Sequence, residues 1–271
     1  MNQKQRWTPE SLPWSELRPE RVARNDSLFY MVSTASFIEI TSDLYTRNLV
    51  EHFADDAEVC EWLLHSWEPE EVNHGRALRE YTMRVWPDFD WEGQYAKFFK
   101  DYGALCKPEM LLPQRSLEMV ARCVVEMGTA TYYTAMQRTT DEPVLMQLAH
   151  NIYQDEVRHY KYFYKYFRRY RKIENTSRAQ VLGALWHRLK ILEDEDSYLA
   201  LKHVHCMRHP GQPYNRTVYK ELMAGIRKLA GPHFPHELSV NMLLKPLDMA
   251  PMMRRVVQPV AQGVARLVVA A

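Results

Sequence analysis

Two short stretches of this sequence carry the residue types and the spacing for metal chemistry: Glu71-Val72-Asn73-His74 and Glu156-Val157-Arg158-His159. On an α-helix, residues three apart lie one turn apart on the same side, so each stretch offers a carboxylate and an imidazole to one point. One Glu-x-x-His is a weak signal. Of the 11 histidines, however, only His74 and His159 have a glutamate three positions before them. Two further helix-like segments offer an inward-facing glutamate each, Glu39 and Glu126. Two glutamates plus two Glu-x-x-His units on four helices is the ligand set of a carboxylate-bridged di-iron or di-manganese centre. In that arrangement Glu71 and Glu156 bridge two metals, Glu39 and His74 complete one, and Glu126 and His159 the other. Four carboxylates oppose the charge of two divalent ions. Without metal they would repel one another in a core, and some would take up protons.

Asp155 and Glu70 each precede a Glu-x-x-His unit. A metal-bound imidazole usually donates its other N–H to a carboxylate, so each acid is placed to serve the histidine of the opposite helix. Thr129, one turn beyond Glu126 and flanked by Gly128 and Ala130, would face the metals and could relay a proton. Taken alone, a threonine there equally suits a hydroxyl bonded to its own helix backbone. Tyr132 and Tyr133 read as core tyrosines, with an electron path as the other reading.

The elements that must hold these residues are helices. Nine glycines in 271 residues suit long helices, and 46% hydrophobic with 25% charged residues is an ordinary globular balance. Residues 1–26, with three prolines and two tryptophans, form an arm over the helices. Asn25-Asp26-Ser27 caps a helix over 27–53, and Asp55-Asp56 caps a second that ends at Trp86-Pro87. Pro69 should kink that second helix. An aromatic segment over 88–112 makes a short crossing helix. The third helix begins at Pro113 and runs to 139, and the fourth covers 142–172. The one long crossover lies between the second and third. Residues 173–271 add helices over 177–207, 214–230 and 235–269, the last broken at Pro246, Pro251 and Pro259, and packed on the rest as one domain.

With the ligands and spacing in place, a family resemblance emerges. Trp67-Glu68-Pro69-Glu70-Glu71-Val72-Asn73-His74-Gly75 and Asp155-Glu156-Val157-Arg158-His159 resemble the corresponding stretches of the soluble acyl-carrier-protein desaturases. Glu39 with Tyr45, and Glu126 with Thr129, are similar to that family's first- and third-helix positions. The likeness covers residues 30–172 and departs at Pro69 and beyond 172. It implies an all-α ferritin-like four-helix bundle with one long crossover. It further implies an oxidase with two iron ions, Mn/Fe being the variant, that uses O₂ and an external electron donor such as a ferredoxin. The substrate would be an acyl or alkyl chain, free or on a carrier. N-oxygenases and aldehyde-deformylating oxygenases share the ligand set. An iron store or peroxide scavenger is the rival of another class, which the long crossover and the C-terminal hundred residues disfavour.

The remaining features are less specific. Arg168, Arg169, Arg171 and Lys172 end the fourth helix, where cations offset the helix dipole, and could dock an acidic carrier or coenzyme A. A net charge of +1 gives no reason to expect nucleic acid. No apolar run is long enough for a membrane span. Cys60, Cys106, Cys123 and Cys206 read as free thiols of a cytoplasmic chain. His203, His205 and His209 have the wrong spacing to converge on a metal. Val256, Val260, Val264, Leu267 and Val268 form one face, expected to dock on the helices or on a partner subunit of a homodimer, with a membrane surface as the other reading.

Overall fold

A computed structural model describes residues 7–191 and 196–270, leaving aside the side chains of 191 and 267–270. The described residues are helical, with no strand among them. The ligand-bearing helices are α1 (Asp26–Ile40), α4 (Glu68–Val85), α6 (Arg115–Arg138) and α7 (Pro143–Glu174). Between them run α2 (Ser42–His52), α3 (Ala57–Trp62) and α5 (Trp91–Gly103). After them come α8 (Arg178–Ile191), α9 (Asp196–Arg208), α10 (Arg216–Ala230), α11 (His236–Leu244) and α12 (Pro251–Ala270).

Packing is pairwise, α1 on α4 and α6 on α7. The fourth ligand helix shows why. Its buried stripe runs Leu148, Ile152, Glu156, His159, Phe163, Phe167, Tyr170, in steps of three or four. Two ligand positions therefore replace apolar ones within a single buried face. Caps fix the register of the pairs. Asn25 Oδ1 accepts from the Leu28 amide at the start of α1. Glu142 caps α7 by accepting from the Leu145 amide, and it also accepts from Tyr81 on α4 and from the Arg18 amide of the arm. At the other end Glu174, the last residue of α7, accepts from the Arg115 and Ser116 amides that open α6.

Several boundaries differ from the sequence reading. The helix expected over 27–53 breaks at Thr41, whose hydroxyl donates to the Phe37 carbonyl at 2.6 Å. The break lies where α4 comes close: a Cβ added to Gly75 would stand 2.3 Å from the Ile40 nitrogen. The distortion expected from Pro69 takes the form of a π-helical stretch, Leu63–Trp67, just before it. Pro69 lacks an N–H and its ring crowds the carbonyl four residues back, so the preceding turn widens. α6 begins at Arg115, two residues after Pro113, because Gln114 is still extended. Residues 192–195, inside the helix expected over 177–207, lie outside the described ones. Pro246 and Pro251 do mark breaks, whereas Pro259 sits inside α12. It is exposed there, so water can satisfy the carbonyl that loses its donor.

The arm forms short 3₁₀ turns and inserts Leu12 and Val22 into the core. Helices α8, α10 and α11 lie against α6, and α9 and α10 against α1. The four cysteines are free. No described helix is long and apolar enough to cross a membrane.

Candidate metal centre

Helices α1, α4, α6 and α7 bring all six sequence-predicted ligands together. Glu39, Glu71, His74 and Glu156 form one group, and Glu71, Glu126, Glu156 and His159 a second. Within each group one ligand atom per residue lies within 4.8 Å of the others. Glu71 and Glu156 belong to both groups, the positions that bridging requires. All six side chains are buried, His74 at 0% and His159, Glu126 and Glu156 at 1% exposure.

The two imidazoles are set by the same device. His74 Nε2–H donates to Asp155 at 3.0 Å, and His159 Nε2–H donates to Glu70 at 2.7 Å. Each acid comes from the helix opposite its histidine. The Nδ1 atoms thereby turn inward: that of His74 lies 3.2 Å from Glu156 and 3.7 Å from Glu39. That of His159 lies 3.0 Å from Glu71 and 3.4 Å from Glu126. Both Nδ1 atoms, Glu126 Oε2 and Glu156 Oε1 are buried without a hydrogen-bond partner among the described residues. Buried polar atoms are normally satisfied, and four orphans converging on one spot are the signature of a cation site. The residues present therefore fit a pair of divalent metals.

Electrostatics point the same way. Burial, followed by the charges of Glu156 and Glu39, holds the Glu71 carboxyl well above its ordinary range. Burial, and then Glu126, pushes Glu156 up to about 8. For both histidines burial opposes charge. It is outweighed at His74 by the neighbouring carboxylates of Asp155, Glu156 and Glu39, and at His159 by those of Glu126, Glu70 and Glu71. Both are thus held well above the usual imidazole value. Protons occupy places that cations would otherwise fill.

Thr129 lies in this site: its hydroxyl is 2.5 Å from Glu156 Oε2, as well as within reach of its own helix's Val125 and Glu126 carbonyls. Tyr133, read from sequence as a core residue, donates to Glu39 Oε1 at 2.5 Å. Three more residues that touch the site were not foreseen. Trp67 Nε1–H donates to Glu126 at 3.1 Å. Arg158 pairs with both Glu70 and Asp155 at 2.7 Å. Trp7, from the arm, donates to Asp155 at 2.8 Å and stacks on His74 at 5.8 Å between centroids. Trp67 and Arg158 stand inside the two motif stretches, a signal that was available. Trp7 stands 67 residues from His74 with no pattern to link them.

The basic end of α7 divides. Arg169 is held by Asp56 and by Glu58 at 2.7 Å, so it serves the fold. Arg171 donates to the Thr176 carbonyl at 3.2 Å. Arg168 and Lys172 make no ion pair among the described residues. They line, with Arg171, Tyr164 and Phe167, a cavity of about 370 Å³. His205 and His209 lie ring to ring at 4.7 Å, but His203 turns away to Asp101, so the three C-terminal histidines do not converge on one point.

No protein-family model, curated protein or solved structure matches this chain.

Proposed function

We propose that the chain is a non-haem di-iron oxidase of ferritin-like four-helix architecture, whose irons would be held by Glu39, Glu71, His74 and Glu156 in one group and by Glu71, Glu126, Glu156 and His159 in the other. The observation that carries this reading is the pair of buried four-residue groups sharing Glu71 and Glu156, with both His Nδ1 atoms orphaned and aimed inward. When bound, two irons supply the capacity to reduce O₂ and oxidise an unactivated C–H bond. An acyl or alkyl chain is the substrate class, by the motif resemblance. An external donor such as a ferredoxin brings electrons, and the chain works as a homodimer.

The protein's own residues supply position and protons. Glu70 and Asp155 fix which ring nitrogen of each histidine faces the metals. Tyr133 holds Glu39, and Trp67 holds Glu126, each leaving one carboxylate oxygen directed inward. Thr129 can pass a proton to or from Glu156, the bridging carboxylate it touches. Helices α8, α10 and α11 lie against α6 and shield that helix from solvent. A carrier- or coenzyme A-borne acyl group would meet Arg168, Arg171 and Lys172 around the cavity at the end of α7.

Anaerobic titration with Fe²⁺ should saturate near two ions per chain, and the reduced protein should consume O₂ faster with a fitting acyl substrate than alone. Continued iron uptake far beyond that ratio, in a shell-sized assembly, would make the chain a store instead.

A further inference from the structure

Helix α12 turns its more apolar side outward. At 100° per residue, Met252, Met253, Val256, Val260 and Val264 fall within an arc of about 120°. They are 81%, 52%, 69%, 65% and 54% exposed. The opposite side, with Arg254, Gln258, Ala261 and Ala265, is only partly buried, and α11 is the element it packs on. Arg254 lies on that inner side and donates to Asn241 and Gln258. The sequence reading had this valine face docked on the helices or on a partner subunit, with a membrane surface as the other reading; Val256, Val260 and Val264 do not dock on the chain's own helices but are open to solvent, while Leu267 and Val268 lie outside the described side chains. Arg255 and Arg266 fall just beyond one edge of the exposed arc, and α12 contains no Asp or Glu.

Helix α8 repeats the combination. It exposes Leu182 at 56% and Trp186 at 61%, one turn apart. It carries Arg178, Arg188 and Lys190 and likewise no acid; an acidic run, 193–196, follows it, of which 193–195 lie outside the described residues and Asp196 opens α9. The two helices begin at one corner of the molecule. Arg178 donates to the carbonyl of Asp248 at 2.8 Å, three residues before α12 starts. In a chain with 35 cations against 34 anions, six cations and no acid on these two helices is a local concentration.

The charges choose between occupants. A second copy related by a two-fold axis would set α12 against α12, placing arginines against arginines with no acid to neutralise them. An anionic lipid surface answers both features: acyl chains take the Met and Val stripe, headgroups take the flanking arginines, and a tryptophan suits the interface. We propose that α12, with the outer face of α8, lies in the plane of an anionic bilayer surface and holds the protein there peripherally. The proposal does not depend on the metal reading.

Flotation with vesicles of equal phosphatidylcholine and phosphatidylglycerol, against phosphatidylcholine alone, tests it on the full chain. The parent should bind the anionic vesicles at least about tenfold better, and less in high salt. Val256→Asp with Val260→Asp should abolish that binding, and Arg255→Glu with Arg266→Glu should reduce it to the level on neutral vesicles. All four positions are exposed or half-exposed, so far-UV circular dichroism should not change. No association of the parent with anionic vesicles would overturn the proposal, as would equal binding by the double aspartate variant. A parent dimer that Val256→Asp dissociates would do so too, assigning the face to a second copy.

Discussion

The carboxylate of Glu70 lies 2.7 Å from Nε2 of His159, although Glu70 neighbours Glu71 in sequence and His159 sits on the helix opposite. Asp155 does the same for His74 in the other direction. Each metal-facing imidazole is therefore oriented by the helix that carries the other one. α4 and α7 are locked in register by the pair of contacts, with Arg158 bridging the two acids.

Removing an orienting acid should loosen the metal rather than the fold. Asp155→Asn and Trp7→Phe should each weaken metal retention against a chelator, Asp155→Asn by about 10- to 100-fold and Trp7→Phe by less. Helicity should be kept. Retention equal to the parent in Asp155→Asn would remove the positioning role.

Removing a ligand should cost a metal outright. Glu126→Ala and His159→Ala should each bind at least one ion fewer by elemental analysis while remaining helical. Full occupancy in both would show that the ions sit elsewhere.

Metal-free protein should lose stability as the pH rises. Glu156, ordinarily near 4.5, keeps its proton up to about 8 because of burial and then Glu126. Glu71 is shifted in the same direction. Between those limits the folded state binds protons that the unfolded chain has released, so raising the pH favours unfolding. The stabilisation from charged His74 and His159, present below the usual imidazole value of 6.5, fades in the same sense as the pH rises through their higher folded values. Asp155, Glu70 and Glu39 are shifted down, burial being overcome by their histidine partners, so their contribution is lost only toward acid. The Tm of metal-free protein should thus fall from pH 5 to pH 8.5, and added Fe²⁺ or Mn²⁺ should restore most of it at the upper end. A metal-free Tm that is flat or rising across that window would contradict the assigned protonation.

Thr129→Val should keep the metals and lower turnover by roughly ten- to hundredfold, since it removes a hydroxyl at Glu156 and little volume. Retained activity with unchanged O₂ coupling would leave Thr129 as a helix residue bonded to its own backbone.

The cations at the end of α7 should separate. Arg169→Glu places like charge against Asp56 and Glu58 and should lower stability by about 1 kcal/mol. Arg168→Glu breaks no ion pair and should leave Tm unchanged while raising KM for an anionic acyl substrate, most strongly in low salt. An unchanged KM would reduce the patch to a helix terminus.

The clustering of the candidate ligands was legible on α7, where they occupy positions in a buried stripe; on α1, buried on all sides from Leu28 to Phe37, periodicity gave no such guide to Glu39. Glu156 and His159 sit among Leu148, Ile152 and Phe163 at the spacing of one face. The crossed acids were legible from adjacency, since the residue before each motif glutamate is acidic. Trp7 was not, because its contacts depend on where an aperiodic arm lies, and no local pattern encodes that. The break at Thr41 was hidden for a similar reason. Its causes are a hydroxyl bond to Phe37 and the approach of α4, and only the first is local. The sequence left the valine stripe open between the helices, a partner subunit and a membrane surface, because an amphipathic period shows that a face exists without showing which side of the helix the protein covers.

Gly75 has a consequence for how this chain can vary. A methyl group there would collide with the backbone at Ile40, so α1 and α4 touch main chain to main chain. Glu39 lies one residue from that contact, and His74 adjoins it on the other helix. The spacing of the first candidate metal position is thus set by a close backbone approach that depends on position 75 carrying no side chain. Any residue larger than glycine at position 75 would push α1 and α4 apart beside Glu39 and His74.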